Sequence, residues 1–287
     1  MSFKEILGYA IAGALVLFLL WMLFAEITGQ KYKKKLFGTR RIPGSTGQVP
    51  LGGNVFGAYY VLREGERFGY NKRRLMQRTI AAFFLKWVLE GKAVVRSAGG
   101  VLRSASLDLI LEEGFKDRTE MALFEMALAA SGRDYSLTTA EFRRWVNSNF
   151  RIVENWGDRA RIRGRRYLIS RDLLGEDNHG VEAGYEKLRD AIRFKQFVKN
   201  PSQCLSRKDP HPELWADYLV MGALYGNASR VADALRRYYP SDFSQFSARQ
   251  AQVGGSLDTA ISVCHALAQA YVRAADKEDA RNERRSR

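Results

Sequence analysis

The sequence predicts a mainly α-helical protein that carries a small β-hairpin and one N-terminal transmembrane helix. Three observations predict this class: an uncharged run of twenty residues at 6–25, apolar residues at helical spacing through most of the remaining chain, and two β-favouring runs around a Gly-Gly pair. The 287 residues are 46% hydrophobic and 27% charged, as in ordinary folded proteins, which excludes general disorder.

The uncharged run, ILGYAIAGALVLFLLWMLFA, has the length and composition of a membrane span. As a helix it is about 30 Å long, which is the thickness of the hydrocarbon core of a bilayer. A cleaved signal peptide is the alternative, but such a peptide has a basic start and a shorter apolar core, whereas here Lys4 is offset by Glu5. We therefore predict a single-pass anchor.

Basic residues follow the span and set its predicted orientation. They are Lys31, Lys33, Lys34, Lys35, Arg40 and Arg41, with no acidic residue among them. Because basic residues collect on the cytoplasmic side of membrane helices, we expect the N-terminus outside and the bulk of the chain in the cytoplasm, at the inner (plasma) membrane. The four lysines are also expected to contact anionic lipid headgroups.

Composition and periodicity divide the chain into segments. We predict a transmembrane anchor at 1–30, a basic juxtamembrane linker at 31–55, a winged-helix-like domain with an Arg-rich extension at 56–175, a helical module at 176–240, a Ser-, Gln- and Gly-rich linker at 241–256, and a C-terminal helix with a charged tail at 257–287.

The winged-helix-like segment is predicted from its order of elements. Residues 59–62 read as a short strand or turn, and the apolar spacing from Met76 to Val88 predicts a helix that Gly91 ends. Two β-favouring runs around Gly99-Gly100 predict the hairpin. Helices follow at 120–130 and after Thr138, which forms a T-x-x-E capping box with Glu141. Helix, hairpin and two helices are compatible with a winged-helix-like domain.

Nine arginines stand between positions 143 and 171, where the only acidic residues before the last arginine are Glu154 and Asp158. Arginine beside aromatic residues can bind phosphates and stack on bases, so nucleic-acid contact is one interpretation. A solvated connector near an anionic membrane surface is the other, and we favour it because no docking motif accompanies the charge. The predicted contact residues are Arg161, Arg163, Arg165 and Arg166.

The C-terminal third is predicted to be helical. One helix carries Trp215 and Tyr218, and after the turn at Gly226-Asn227 a second helix runs to residue 238. We expect Trp215 in the core of this helix pair; the alternative is an exposed anchor for a partner, because tryptophan is enriched in binding hot spots. A last amphipathic helix at 257–274 precedes a charged tail that we expect to be frayed.

Three stretches resemble the cytosolic part of a family of predicted bacterial and archaeal membrane proteins. They are RRLMQRTIAAFFLKWVLEGKAVV, then GYEKLRDAIRFKQFVKN with HPELWADYLVMGALYGNASRVADAL, and YYPSDFSQF, all within residues 56–260. The family is named domain of unknown function twenty-two oh seven. Its members usually carry a large extracytoplasmic β domain before the membrane helix, which the resemblance does not reach, so no ectodomain role is carried over. The family has no established catalytic residues, and the resemblance implies none.

No catalytic, metal or cofactor motif occurs. His179, His211 and His265 show no metal-binding spacing, and Cys204 and Cys264 form no CxxC pair. Phosphate-binding and nucleophile-elbow motifs are also absent. Because Cys264 and His265 are neighbours on a predicted helix, we expect a buried cysteine and a surface histidine rather than a nucleophile with its base.

These observations predict a non-catalytic, membrane-anchored interaction or scaffold module in the cytosol, without a cofactor, that binds an unidentified protein partner. The alternative is a membrane-tethered regulator that binds nucleic acid through the winged-helix-like segment and its arginines.

Overall fold

The computed structural model describes residues 3–39, 41–65, 71–96, 105–111, 114–205, 212–251 and 255–285. These residues form a mostly helical fold with one small antiparallel sheet and one apolar N-terminal helix. The predicted fold class, mainly α with a small β element, is therefore confirmed. The helices are α1 Phe3–Phe37, α2 Val55–Gly65, α3 Lys72–Leu89, α4 Arg118–Ser131, α5 Thr139–Ser148, α6 Phe150–Ile169, α7 Tyr185–Lys199, α8 Ser202–Leu205, α9 Trp215–Tyr225, α10 Ala228–Tyr238, α11 Pro240–Ala251 and α12 Leu257–Arg285.

The sheet has three strands, β1 Ala93–Arg96, β2 Ser106–Leu109 and β3 Ser136–Thr138. Strand β2 lies in the centre and pairs antiparallel with both neighbours, so that Leu107 faces Val95 on one side and Leu137 on the other. The two β-favouring runs therefore pair as predicted, and a third strand that the sequence reading missed completes the sheet. The Gly99-Gly100 turn lies outside the described residues.

Helix α3 is the centre of the fold. It packs against α9 on one side and α12 on another, and twelve of its side chains are buried. Trp87 and Phe84 are fully buried in it, and the Trp87 ring contacts the edge of Phe124 from α4. The buried apolar residues form one contiguous cluster from Leu36 to Ala274, so the predicted segments share a core.

Three sequence expectations are wrong in detail. Residues 59–62, expected as a short strand or turn, belong to the helix α2. Tyr59, Tyr60 and their neighbours are buried around most of that helix, so its sequence shows no alternation of buried and exposed positions. The stretch expected as a linker at 241–256 contains most of α11, whose Phe243 packs on Trp215. Helix α12 continues past Ala274 through the charged tail to Arg285, and Arg73 pairs with Asp279 of that tail at 2.6 Å.

Side-chain caps explain where several helices begin. The carboxylate of Asp117 accepts hydrogen bonds from the backbone N–H groups of Thr119 and Glu120 at the start of α4. Thr138 and Glu141 form both hydrogen bonds of the predicted capping box at the start of α5. Trp215, predicted in the core, is 1% exposed.

Helices α2 and α6 approach each other closely at a glycine. A Cβ atom at Gly164 would lie 2.1 Å from the backbone oxygen of Phe56 and 2.9 Å from the Tyr60 Cβ. Since the first obstacle is backbone, the two helices would have to separate to accept a side chain there.

We predict that Gly164→Ala destabilises the protein. Alanine favours a helix over glycine by about 1 kcal/mol, but forcing atoms into a packed interface costs about 1–3 kcal/mol, so the clash outweighs the propensity. Thermal unfolding should show a melting temperature lower by a few degrees. Gly114→Ala is the control, because nothing lies within 4 Å of the added methyl group. Equal melting temperatures for both variants would contradict the close approach.

Candidate membrane interface

Helix α1 is long and apolar enough to cross a membrane. An 18-residue stretch within Gly13–Phe37 has a mean hydropathy of 1.6, and the large apolar side chains from Leu15 to Phe24 are all at least half exposed. Such exposure is costly in water and natural in lipid. The helix does not stop at residue 30, where the anchor was predicted to end, but continues to Phe37.

The C-terminal end of α1 is seated in the core of the following domain. Leu36 is 4% exposed and Phe37 is fully buried, with the Phe37 ring packed against Gly65 at the end of α2. Two hydrogen bonds fix the backbone there: Gly180 N–H donates to the Lys35 oxygen at 2.9 Å, and Arg189 Nε donates to the Phe37 oxygen at 2.9 Å. The apolar helix α1 is therefore joined to the domain without a flexible connection.

The four predicted lysines lie between the exposed apolar stretch and this seat. Lys31, Lys34 and Lys35 are exposed, and Lys33 is half-buried. Within the described part of the chain none of the four forms an ion pair with an acidic side chain. They occupy little more than one turn of α1.

The arginines of α6 are placed differently, because three of the four predicted contact residues are bound by acidic side chains. Arg161 lies 3.6 Å from Glu64, Arg163 pairs with Asp117, and Arg165 Nη2 lies 2.9 Å from Glu176 Oε2. Only Arg166 is exposed, and no partner of its side chain is found among the described residues. These contacts connect α6 to α2, to α4 and to the loop before α7.

The Asp117–Arg163 pair has a defined electrostatic effect. Partial burial alone would raise the pKa of the Asp117 carboxyl, but the Arg163 guanidinium and the N–H groups of Glu120 and Thr119 outweigh it and hold that pKa below its usual range. The ionised carboxylate is thus the stable form in the fold. Arg163 acts as a structural partner at the start of α4.

The loop between α6 and α7 packs against the buried end of α1, and the sequence did not predict this contact. Asn178, in a left-handed conformation with φ 64°, accepts hydrogen bonds from Tyr60 Oη and from Arg165 Nε at 2.6 Å. The next residues place Gly180 so near α1 that a Cβ there would lie 2.1 Å from the Leu36 oxygen. Tyr60 and Asn178, like Leu36 and Gly180, are more than a hundred positions apart in the chain, and no sequence spacing indicates these contacts.

No catalytic constellation is found in the described part of the chain. Burial raises the pKa of the Cys264 thiol, so it is a poor nucleophile, whereas His265 is exposed on the same helix. No group of three His, Cys, Asp or Glu side chains that could hold a metal ion exists among the described residues. The His211 position lies outside them.

Comparison with known proteins adds no identification: no family model matches the chain, and no curated protein or solved structure matches it.

We predict that Phe37→Ala strongly destabilises the domain. Truncation of a buried Phe typically costs about 3–5 kcal/mol, because it removes apolar contacts and leaves a cavity. Thermal unfolding of the full chain in detergent measures the loss. Phe24→Ala is the matched control, because Phe24 is 67% exposed. If Phe37→Ala melts like Phe24→Ala, then α1 is not seated as described.

We predict that Arg163→Gln lowers stability by about 1 kcal/mol at neutral pH, whereas Arg166→Gln does not change it. The folded-state pKa of Asp117 is lowered, so the pair stabilises the fold above the ordinary carboxyl pKa of about 4 and its contribution disappears as the pH falls through the folded value. Denaturant unfolding at pH 7 and pH 3 should therefore show a difference between wild type and Arg163→Gln that shrinks at the lower pH. A loss of equal size in both variants would refute the structural role of Arg163.

Proposed function

We propose that this chain is a single-pass inner-membrane protein with its N-terminus outside, and that its helical domain acts in the cytoplasm as a non-catalytic interaction or scaffold module. The single observation that carries the proposal is the burial of the C-terminal end of α1 in the core of the domain. An apolar helix of membrane-spanning length continues without a break through four lysines into the buried Leu36 and Phe37.

The seat defines how near the membrane the domain is held. From Phe24, where the exposed apolar stretch ends, to Leu36 the helix rises by about 18 Å. The headgroup layer of one leaflet accounts for about 5–8 Å of this distance, so the domain is held about 10 Å beyond that layer. A domain held at that height presents one face to lipid and leaves the others for a partner, which suits a module that collects another protein at the membrane surface.

Membership of the family named domain of unknown function twenty-two oh seven remains part of the proposal, and it rests on the three sequence stretches alone. The winged-helix-like interpretation also remains a proposal. The antiparallel pair β1–β2 and the capped helix α5 support it, but β3 enters the sheet after α4, and α3, which leads into the hairpin, is buried between α9 and α12.

The alternative, a membrane-tethered regulator that binds nucleic acid, has weaker support. A helix that reads a groove must be accessible, and α3 is not. Three arginines that could contact phosphates already pair with Glu64, Asp117 and Glu176. The exposed Arg143, Arg144 and Arg166 remain as candidates for phosphate contacts.

We predict the topology from the lysines. A fluorescent protein that folds only in the cytoplasm, fused after Arg287, should be bright, and a phosphatase that is active only outside should be silent at the same site. Replacement of the four lysines by Glu should reduce the fluorescence and produce phosphatase activity in part of the population. Replacement of the exposed Arg143 and Arg144 by Glu is the control and should leave both readings unchanged, because these residues are far from the span in sequence.

Two further outcomes would overturn parts of the proposal. If the phosphatase fusion of the unchanged chain is active and the fluorescent fusion is dark, the orientation is the reverse of the one proposed. If the mass of the purified protein shows that residues 1–25 have been removed, the apolar run is a cleaved signal peptide. Tight binding of duplex DNA by the full chain, weakening by orders of magnitude between about 50 and 200 mM salt, would favour the regulator.

A further inference from the structure

One face of α6 is exposed along most of the length of the helix. The opposite face is buried, mainly against α2. Five of the exposed residues form a line that we call the outer seam of α6: Ile152, Asn155, Arg159, Ile162 and Arg166. They follow one another at intervals of three, four, three and four positions. This is the heptad spacing of a helix that packs along another helix.

The outer seam combines apolar and basic side chains. Ile152 is 46% exposed and Ile162 is 42% exposed. The side chains of Arg159 and Arg166 form no hydrogen bond or ion pair with any described residue. A surface helix that only meets water carries polar residues on its outer face, whereas isoleucine at heptad positions is typical of a helix that contacts a second helix.

The sides of α6 are fixed, so the outer seam is a rigid surface. Arg161, Arg163 and Arg165 pair with acidic residues outside the helix, and Gly164 lets α6 approach the backbone of α2. From Ile152 to Arg166 the seam is about 21 Å long. A rigid surface loses little conformational entropy on binding, which favours the docking of another regular element.

The two arginines determine the charge of the partner. A helix packed along the outer seam would remove Arg159 and Arg166 from water, and a buried arginine without a counter-charge costs free energy. No position of the seam is a carboxylate. The partner therefore has to supply the acidic groups.

We propose that the outer seam of α6 binds an acidic amphipathic helix of a partner protein. The apolar side chains of that helix pack on Ile152 and Ile162, and its carboxylates accept hydrogen bonds from Arg159 and Arg166. This inference rests on the proposed function, because it names the surface through which the interaction module binds its partner. The topology reporters do not depend on the seam, so the membrane arrangement and the partner surface are tested separately.

Two other occupants suit the outer seam less well. A second copy of this chain would bring two further arginines to the same seam and no carboxylate, so like charges would be buried together. A nucleic acid would place phosphates next to Glu154 and Asp158, whose exposed carboxylates flank the seam and would repel them. Both occupants are outcomes of the test.

The test is fluorescence anisotropy of labelled synthetic peptides with the purified full chain in neutral detergent. The first peptide has about three heptads, with glutamate at each a position and leucine at each d position, to match Arg159, Ile162 and Arg166. A second peptide with the reversed sequence covers the opposite helix direction. We expect saturable binding of at least one of the two. The same peptides with lysine in place of glutamate should not bind.

Reversal of the seam charges separates a specific contact from general attraction. Arg159→Glu combined with Arg166→Glu should weaken binding of the glutamate peptide by about tenfold or more, and it should produce binding of the lysine peptide. Both arginines are exposed and have no partner among the described residues, so the melting temperature should not change. Arg143→Glu combined with Arg144→Glu is the matched control, because it makes the same charge change at exposed positions of α5.

Four results would overturn the proposal. Neither glutamate peptide binds, or the control double variant weakens binding as much as the seam double variant. The full chain sediments as a dimer that Ile162→Ser dissociates, so that a second copy covers the seam. Duplex DNA binds in a way that depends on Arg159 and Arg166, whereas the peptides do not bind.

Discussion

The burial of Leu36 and Phe37 is the constraint on which the rest of the arrangement depends. A helix that ended in a flexible linker would leave the domain free to rotate and to move relative to that helix. Here the last turn of α1 is part of the core, and Gly65 and Gly180 are the small residues that let it approach α2 and the loop before α7. The orientation of the domain relative to α1 follows from this one contact.

A second constraint acts inside the domain, at the C-terminal end of α3. The buried carboxylate of Glu120 accepts hydrogen bonds from Trp87 Nε1 at 3.0 Å and from Lys86 Nζ at 2.7 Å. A buried charge without such partners would cost several kcal/mol, so this set fixes the register of α4 against α3. Burial also raises the pKa of Asp217 on α9, and the charge of the same Lys86 opposes that rise.

The sequence predicted those features that depend on neighbours in the chain. Helical spacing located α3, α7 and α9, and the capping box at Thr138 was found from two residue types three positions apart. The sequence did not predict that 59–62 is helical, because a helix buried on most of its surface lacks the periodicity that marks a half-exposed one. Nor did it indicate the contacts of Gly180 or Asn178 with residues more than a hundred positions away, which only the folded chain brings together.

The net charge of +15 does not show which basic residues have acidic partners in the folded chain. The arginines of α6 are clustered in the sequence, which suggested a contact surface for phosphates or lipid headgroups. In the fold, Arg161, Arg163 and Arg165 form ion pairs with acidic residues outside α6. The four lysines near the end of α1 form no ion pair among the described residues, although they are less conspicuous in the sequence. Positive charge is available for binding where the fold supplies no carboxylate, and that depends on tertiary contacts. Among the described residues, the end of α1 is therefore a surface whose positive charge has no acidic partner.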